Sequence, residues 1–114
     1  MATERVQPIE LTDEDTGKTY ILEFNRDVVR RAERNGFCID DCARFPTKCY
    51  DLWYYAFFMH HERDVKRKRT DELLDSIGGV ADAPDGLFER LGELYAQAYK
   101  TLEDEKNVRA TVKF

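Results

Sequence analysis

The chain holds one serine, Ser76, and that scarcity limits its chemistry. Ser76 follows "ELLD" in a helical turn and lacks the G-x-S-x-G setting that presents a nucleophilic hydroxyl, so serine hydrolysis is not expected. Also missing are the G-x-x-x-x-G-K-[ST] phosphate cradle, the G-x-G-x-x-G dinucleotide turn and an H-E-x-x-H zinc pair. No apolar run is long enough to span a bilayer: the longest, Cys49 to Met59, is broken by Asp51 and falls short of the roughly 20 residues needed. The opening "MATERVQPIELTDEDTG" is charged almost from its start and has no apolar core like that of a secretory signal, so a cytoplasmic protein is expected. Basic residues are in deficit, 18 Lys and Arg against 23 Asp and Glu, giving a net charge of -5. Phosphate is repelled on average, and the balance favours protein partners over nucleic acid or membrane.

Cysteine is sparse and odd in number, with Cys38, Cys42 and Cys49 expected as reduced thiols. Zinc would need Cys38 and Cys42 with His60 or His61. The C-x2-C spacing is missing, and adjacent histidines on a helix point about 100° apart, so no metal is expected. Cys49 and His60 on one helix would stand roughly 16 Å apart, too far for a nucleophile and its base. Cys38 or Cys42 could reach a histidine only through a loop fold. Neighbouring carboxylates, Asp40 with Asp41 and Glu103 to Glu105, diverge and are expected as solvated caps. The run "KRKR", Lys66 to Arg69, lies between acids and is expected to be a solvated loop between helices. No catalytic residue, cofactor or metal site is therefore expected, and an enzyme is not.

What remains is one domain over residues 1–114, since a 114-residue chain that is 42% hydrophobic fills one modest core. Residues 1–8 are expected to be flexible. "PIEL" and "TYILEF", around "TDEDTGK", have the two-residue period of a hairpin over 9–24. Asn25 can cap a helix over 26–35 whose stripe is Val28, Val29 and Ala32, stopped by Gly36 with Phe37 as clamp. Asp40 or Asp41 can start a short turn, and Pro46 fits the first turn of the next helix.

From 47 to 63 the chain is apolar on nearly all sides, as a central helix surrounded by others would be, with His60 and His61 at its solvent end. Thr70 can cap a helix over 71–77 that ends at Gly78 and Gly79, and "GGVADAPDG" reads as a turn. Leu87, Phe88, Leu91, Leu94, Tyr95, Ala98 and Leu102 recur at helical spacing over 87–103. "KNVRATVKF" alternates Val108, Ala110, Val112 and Phe114 with polar residues, so 105–114 is expected as an extended tail or strand. The class is α+β: mostly helical, with an N-terminal hairpin and three to four helices on a central apolar helix.

The five rings of "LWYYAFFMHHERD" at 52–64 are expected mainly as core, with one or two kept exposed in a protein-binding groove. "YILEFNRDVVRRAERNGF", "LWYYAFFMHHERDVKRKRTDELLDSIGG", "LFERLGELYAQAYKTL" and "KNVRATVKF", in that order, resemble the small tail assembly chaperones of long-tailed bacteriophages and related prophages, over about residues 18–114. The resemblance implies a non-catalytic protein of the host cytoplasm. It would bind the helical tape-measure protein, and in some cases tail-tube protein or itself, and then leave, so that it is not expected in the mature virion. Contact residues expected on this reading are Tyr54, Tyr55, Phe58, Tyr95, Tyr99, Val108, Val112 and Phe114. Two rival readings are a phage head-tail or tail component that stays in the particle, and a nucleic-acid regulator using Arg30, Arg31, Arg34 and Lys66 to Arg69.

Overall fold

Alternation in "IELTD" and "KTYIL" has its structural counterpart in an antiparallel hairpin, β1 (Ile9–Asp13) and β2 (Lys18–Leu22). The structure, a computed structural model, describes residues 5–100 and 109–114. Ile9 pairs with Leu22 and Leu11 with Tyr20 on the face turned to the core, while Glu10 with Ile21 and Thr12 with Thr19 take the opposite face. The Asp13 carbonyl closes the turn by accepting the Thr16 and Gly17 N–H groups at 3.3 and 2.7 Å, and Gly17 supplies the positive φ of 77° that the turn needs.

Helix α1 (Arg26–Arg34) is bounded as its local signals demand. Asn25 Oδ1 accepts the Val28 N–H at 2.9 Å, and Val28, Val29 and Ala32 are buried. At the other end Phe37 N–H reaches the Ala32 carbonyl at 2.9 Å and Gly36 N–H the Glu33 carbonyl at 3.0 Å, with Gly36 at φ 92° and Phe37 buried. A 3-10 turn over Ile39–Ala43 follows, where a short turn was expected. Pro46 then stands just ahead of α2 (Lys48–Ala56), its carbonyl accepting the Cys49 N–H at 3.0 Å.

The single helix expected over 47–63 is in fact two, α2 and the one-turn α3 (Phe58–His61), and helical structure stops at His61 rather than Arg63. Backbone bonding explains the break. Glu23 N–H, just past β2, donates to the Ala56 carbonyl at 3.0 Å, while Phe57 N–H tightens onto the Tyr54 carbonyl at 3.2 Å. The hub gives up one regular turn so that the hairpin can bond directly to it.

Two further expectations are corrected at α4 (Arg67–Ser76). The "KRKR" run is not a loop but the entry and first turn of this helix, and Thr70 is not its cap but a fully buried interior residue. Cations at a helix N-terminus oppose the macrodipole. Here carboxylates offset them: Arg67 bonds Asp51 at 2.6 Å and Asp71 at 3.1 Å, and Arg69 bonds Asp13 at 2.8 Å. The Thr70 hydroxyl donates to the Arg67 carbonyl at 2.8 Å, and the Thr70 carbonyl accepts the Trp53 indole N–H at 2.7 Å.

"GGVADAPDG" holds a one-turn helix, α5 (Gly79–Asp82), in addition to the expected turn. Gly78, at φ 119°, has the Asp82 carbonyl where a Cβ would stand. Helix α6 (Leu87–Tyr99) buries Leu91, Leu94 and Tyr95, and residues 101–103 of its expected span lie outside the described residues. The Gln97 amide clamps the Val6 backbone, accepting its N–H at 2.6 Å and donating to its carbonyl at 3.4 Å, while Arg90 reaches the Gln7 carbonyl at 3.2 Å. Val6 and Gln7, within the segment expected to be flexible, are thus bonded to α6, and 1–4 lie outside the described residues. Residues 109–114 are exposed and form no strand; 105–108 lie outside the described residues.

The class is α+β. α2 packs on α4 and α6, α3 on β2, and α1 on α6. Trp53, Phe57, Leu74, Leu91 and Leu94 are completely buried at the centre. Among the described residues no helix is long and apolar enough to cross a membrane.

One ion pair locks the hairpin turn to α4. Asp13 is 3% exposed, and both its carboxylate oxygens take bonds from Arg69, at 2.7 to 3.0 Å. The guanidinium holds the Asp13 carboxyl below its ordinary value of 3.8, against the opposing pull of burial, and the bonds push Arg69 up in turn. Because the folded-state value is depressed, the pair's contribution is complete above 3.8 and fades as pH falls through the lowered value. Asp13→Asn should therefore lower the urea midpoint at neutral pH and flatten its decline between about pH 5 and pH 2. An unchanged acid slope would show that another group carries it.

Candidate interaction surface

A helix that is apolar all round fills its core face first, and the surplus must be covered by neighbours or left at the surface. On α2 the core takes Leu52, Trp53, Tyr55 and Ala56. Tyr54 and Phe58, four residues apart, fall on one outward face, half-buried, with rings 4.8 Å apart and nearly perpendicular at 83°.

Each ring carries a guanidinium. Arg67 of α4 lies 5.0 Å from the Tyr54 ring centre, and Arg31 of α1 lies 5.0 Å from that of Phe58. Neither arginine is loose. Glu62 grips Arg31 through two parallel bonds at 2.7 and 2.8 Å, and Arg67 is held between Asp51 and Asp71. The Arg31 fork holds the Glu62 carboxyl below its usual range and raises Arg31. The result is a stripe, Arg67–Tyr54–Phe58–Arg31, drawn from four helices, with Met59 exposed next in sequence. Arginine, aromatic and methionine side chains are those enriched at the centres of protein interfaces, and side chains already pinned lose little freedom on binding.

Of the seven described residues expected at a contact surface, two are buried in the core and five are at least partly exposed. Tyr54 and Phe58 lie on the stripe. Tyr55 belongs to the core, its ring 5.9 Å from Phe37 and its hydroxyl accepting from Asn35 at 3.2 Å. Tyr95 is also core, wedged edge-on between Phe24 and Phe37 at 5.2 and 5.7 Å. Helical periodicity gave both rings a face without showing what covers it. Tyr99 is exposed at the far end of α6, Val112 and Phe114 are exposed in the terminal segment, and Val108 lies outside the described residues. The arginines were missed as partners because nothing local in the sequence ties Arg31 to Phe58 or Arg67 to Tyr54.

The histidines join elements. His60 Nε2 meets Glu23 Oε1 at 2.9 Å. His61 Nε2 accepts the Ile21 N–H at 2.9 Å, which places the ring proton on Nδ1, 3.4 Å from Asp64 Oδ2. His61 and Lys18 hold the Asp64 carboxyl below its usual range.

The Cys42 and Cys49 thiols donate to the Lys48 and Cys42 carbonyls, each at 3.6 Å. Burial pushes Cys42 up to about 12 and raises Cys49, which disfavours the thiolate at both. Among the described residues, no group of three His, Cys, Asp or Glu side chains could hold a metal ion. Several of the basic residues that a nucleic-acid site would need are already committed: Arg30 to Asp27, Arg31 to Glu62, Arg67 to Asp51 and Arg69 to Asp13.

Hairpin, broken hub and surrounding helices make this an α+β protein with an arginine and aromatic stripe on its surface. The chain belongs to the family described as Domain of unknown function (DUF5055), whose model matches residues 1–114. No curated protein and no solved structure matches it.

Tyr95 has one unsettled atom. Its hydroxyl is buried with no hydrogen-bond partner among the described residues, and burial pushes it up to about 12. An unsatisfied buried polar group costs about 1 to 3 kcal/mol, so Tyr95→Phe should raise stability by about 1 kcal/mol, whereas Tyr95→Ala should lose about 3 to 5. Thermal denaturation decides it: a lower midpoint for the Phe variant would mean that the hydroxyl has a partner in solution.

Proposed function

We propose that this protein is a non-catalytic tail assembly chaperone of a long-tailed bacteriophage or prophage, binding the tape-measure protein in the host cytoplasm while tail-tube subunits polymerise, and then leaving. The order of sequence elements over residues 18–114 is the observation that carries the reading, because it resembles that of such chaperones. The stripe supports it chemically. A long helical protein awaiting its tube exposes apolar stripes along its helices and needs reversible cover. Tyr54 and Phe58 offer flat apolar area, and the arginines over them, pinned by carboxylates, hold it in a fixed shape. Burial raises the Cys42 and Cys49 thiols and so gives no support to either as a nucleophile.

Co-expression of the tagged protein with neighbouring tail genes, followed by affinity recovery and mass spectrometry, should return the tape-measure protein with several copies of the bait. Purified particles should lack the bait; its stoichiometric presence would favour the structural-component reading. Tyr54→Ala with Phe58→Ala should weaken tape-measure binding by about 2 kcal/mol, roughly thirtyfold, with helicity retained by circular dichroism. Equal recovery by the double variant would move the contact elsewhere on the protein.

A further inference from the structure

The two edges of the hairpin are unequal. On the outer edge of β2, Ile21 N–H is taken by His61 and Glu23 N–H by the Ala56 carbonyl. Because Ile21 points its N–H away from β1, its pair with Glu10 is the non-hydrogen-bonded kind, and by alternation so is Thr12 with Thr19. The N–H and C=O groups of Glu10 and Thr12 therefore face outward along β1. Both residues are exposed, and among the described residues these four groups have no partner. Such an edge is a template for one more strand.

The edge also has two chemically different faces. On the core side Ile9 and Leu11 are only half-buried, and a groove of about 280 Å³ between the β1 end of the hairpin and α4 is lined by Leu11 and Leu73 together with the charged Asp13, Asp15, Arg69 and Glu72. On the outer side stand Glu10 and Thr12, followed in the turn by the exposed Glu14 and Asp15. Extended "RATVKF", residues 109–114, has the matching pair of faces: Ala110, Val112 and Phe114 on one, Arg109, Thr111 and Lys113 on the other. Apolar meets apolar and basic meets acidic in a single register. In its own chain this segment is fully exposed and, among the described residues, makes no hydrogen bond or ion pair.

We infer that residues 109–114 of a second copy add to β1 as a third strand, with Val112 and Phe114 over Ile9 and Leu11 and a basic side chain beside Glu10, so that two copies exchange tails. Reciprocal exchange uses the same edge and the same segment on both subunits and closes as a two-fold dimer. Self-pairing of this kind is separate from tape-measure binding, and each can fail without the other.

Light scattering coupled to size-exclusion chromatography of the full chain tests it. The full chain should run as a concentration-dependent dimer, and a chain ending at Lys100 as a monomer with unchanged helicity. Thr12→Pro removes an outward N–H without touching the ladder to β2 and should also give a monomer. Glu10→Lys should weaken association about tenfold, and combining it with Lys113→Glu should restore part of the loss. Val112→Pro, which alters only the tail, keeps the test valid if Thr12→Pro fails to fold. A monomeric full chain, including one whose tail folds back onto its own β1, or a dimer that survives truncation, would overturn the inference.

Discussion

The fold depends on one buried hydrogen bond, from the Trp53 indole to the Thr70 carbonyl at 2.7 Å. Trp53 is fully enclosed, so its N–H has to find an acceptor inside the protein or lose about 1 to 3 kcal/mol. A regular helix spends its interior carbonyls on its own N–H groups, but a carbonyl has two lone pairs and can serve both. The bond thus fixes α4 at one height and one rotation against α2. That placement carries Arg67 to Tyr54 and Arg69 to Asp13, so the surface stripe and the hairpin latch both follow from where one indole points.

The hairpin is held to the hub in an unusual way for a two-stranded sheet. Such a ribbon is marginal alone, and side-chain packing is its common support. Here the backbone of β2 and the residue after it are bonded to the hub at Ala56 and His61, and the hub breaks its regular helix at Phe57 to receive them. Phe57 remains fully buried at the break, with Tyr20 of β2 edge-on to it at 5.3 Å, so regularity is exchanged for docking without loss of packing.

Signals confined to a few neighbouring residues were legible in the sequence. The Asn25 cap, the Gly36 stop and the strand alternation each rest on contacts a few positions away, and each appears within a residue or two of where it was read. What failed depended on distant partners. Thr70 ahead of Asp71 has the composition of a cap, yet carboxylates 16 and 56 positions from Arg67 and Arg69 let the helix begin earlier. The same limit divided the candidate surface. The four-residue spacing put Tyr54 and Phe58 on one face, whereas the coverage of Tyr55 and Tyr95 is decided by Phe37, which arrives from the end of another helix.

His61 and Ala56 give the hairpin a property best described as valence. With the Ile21 and Glu23 N–H groups bonded to the hub and the groups of Glu10 and Thr12 facing outward, the ribbon offers β1 as its edge for a further strand. A strand added at β1 opens no site at β2, where the Ile21 and Glu23 N–H groups are already taken. An imidazole and a single carbonyl oxygen thus direct any added strand to β1.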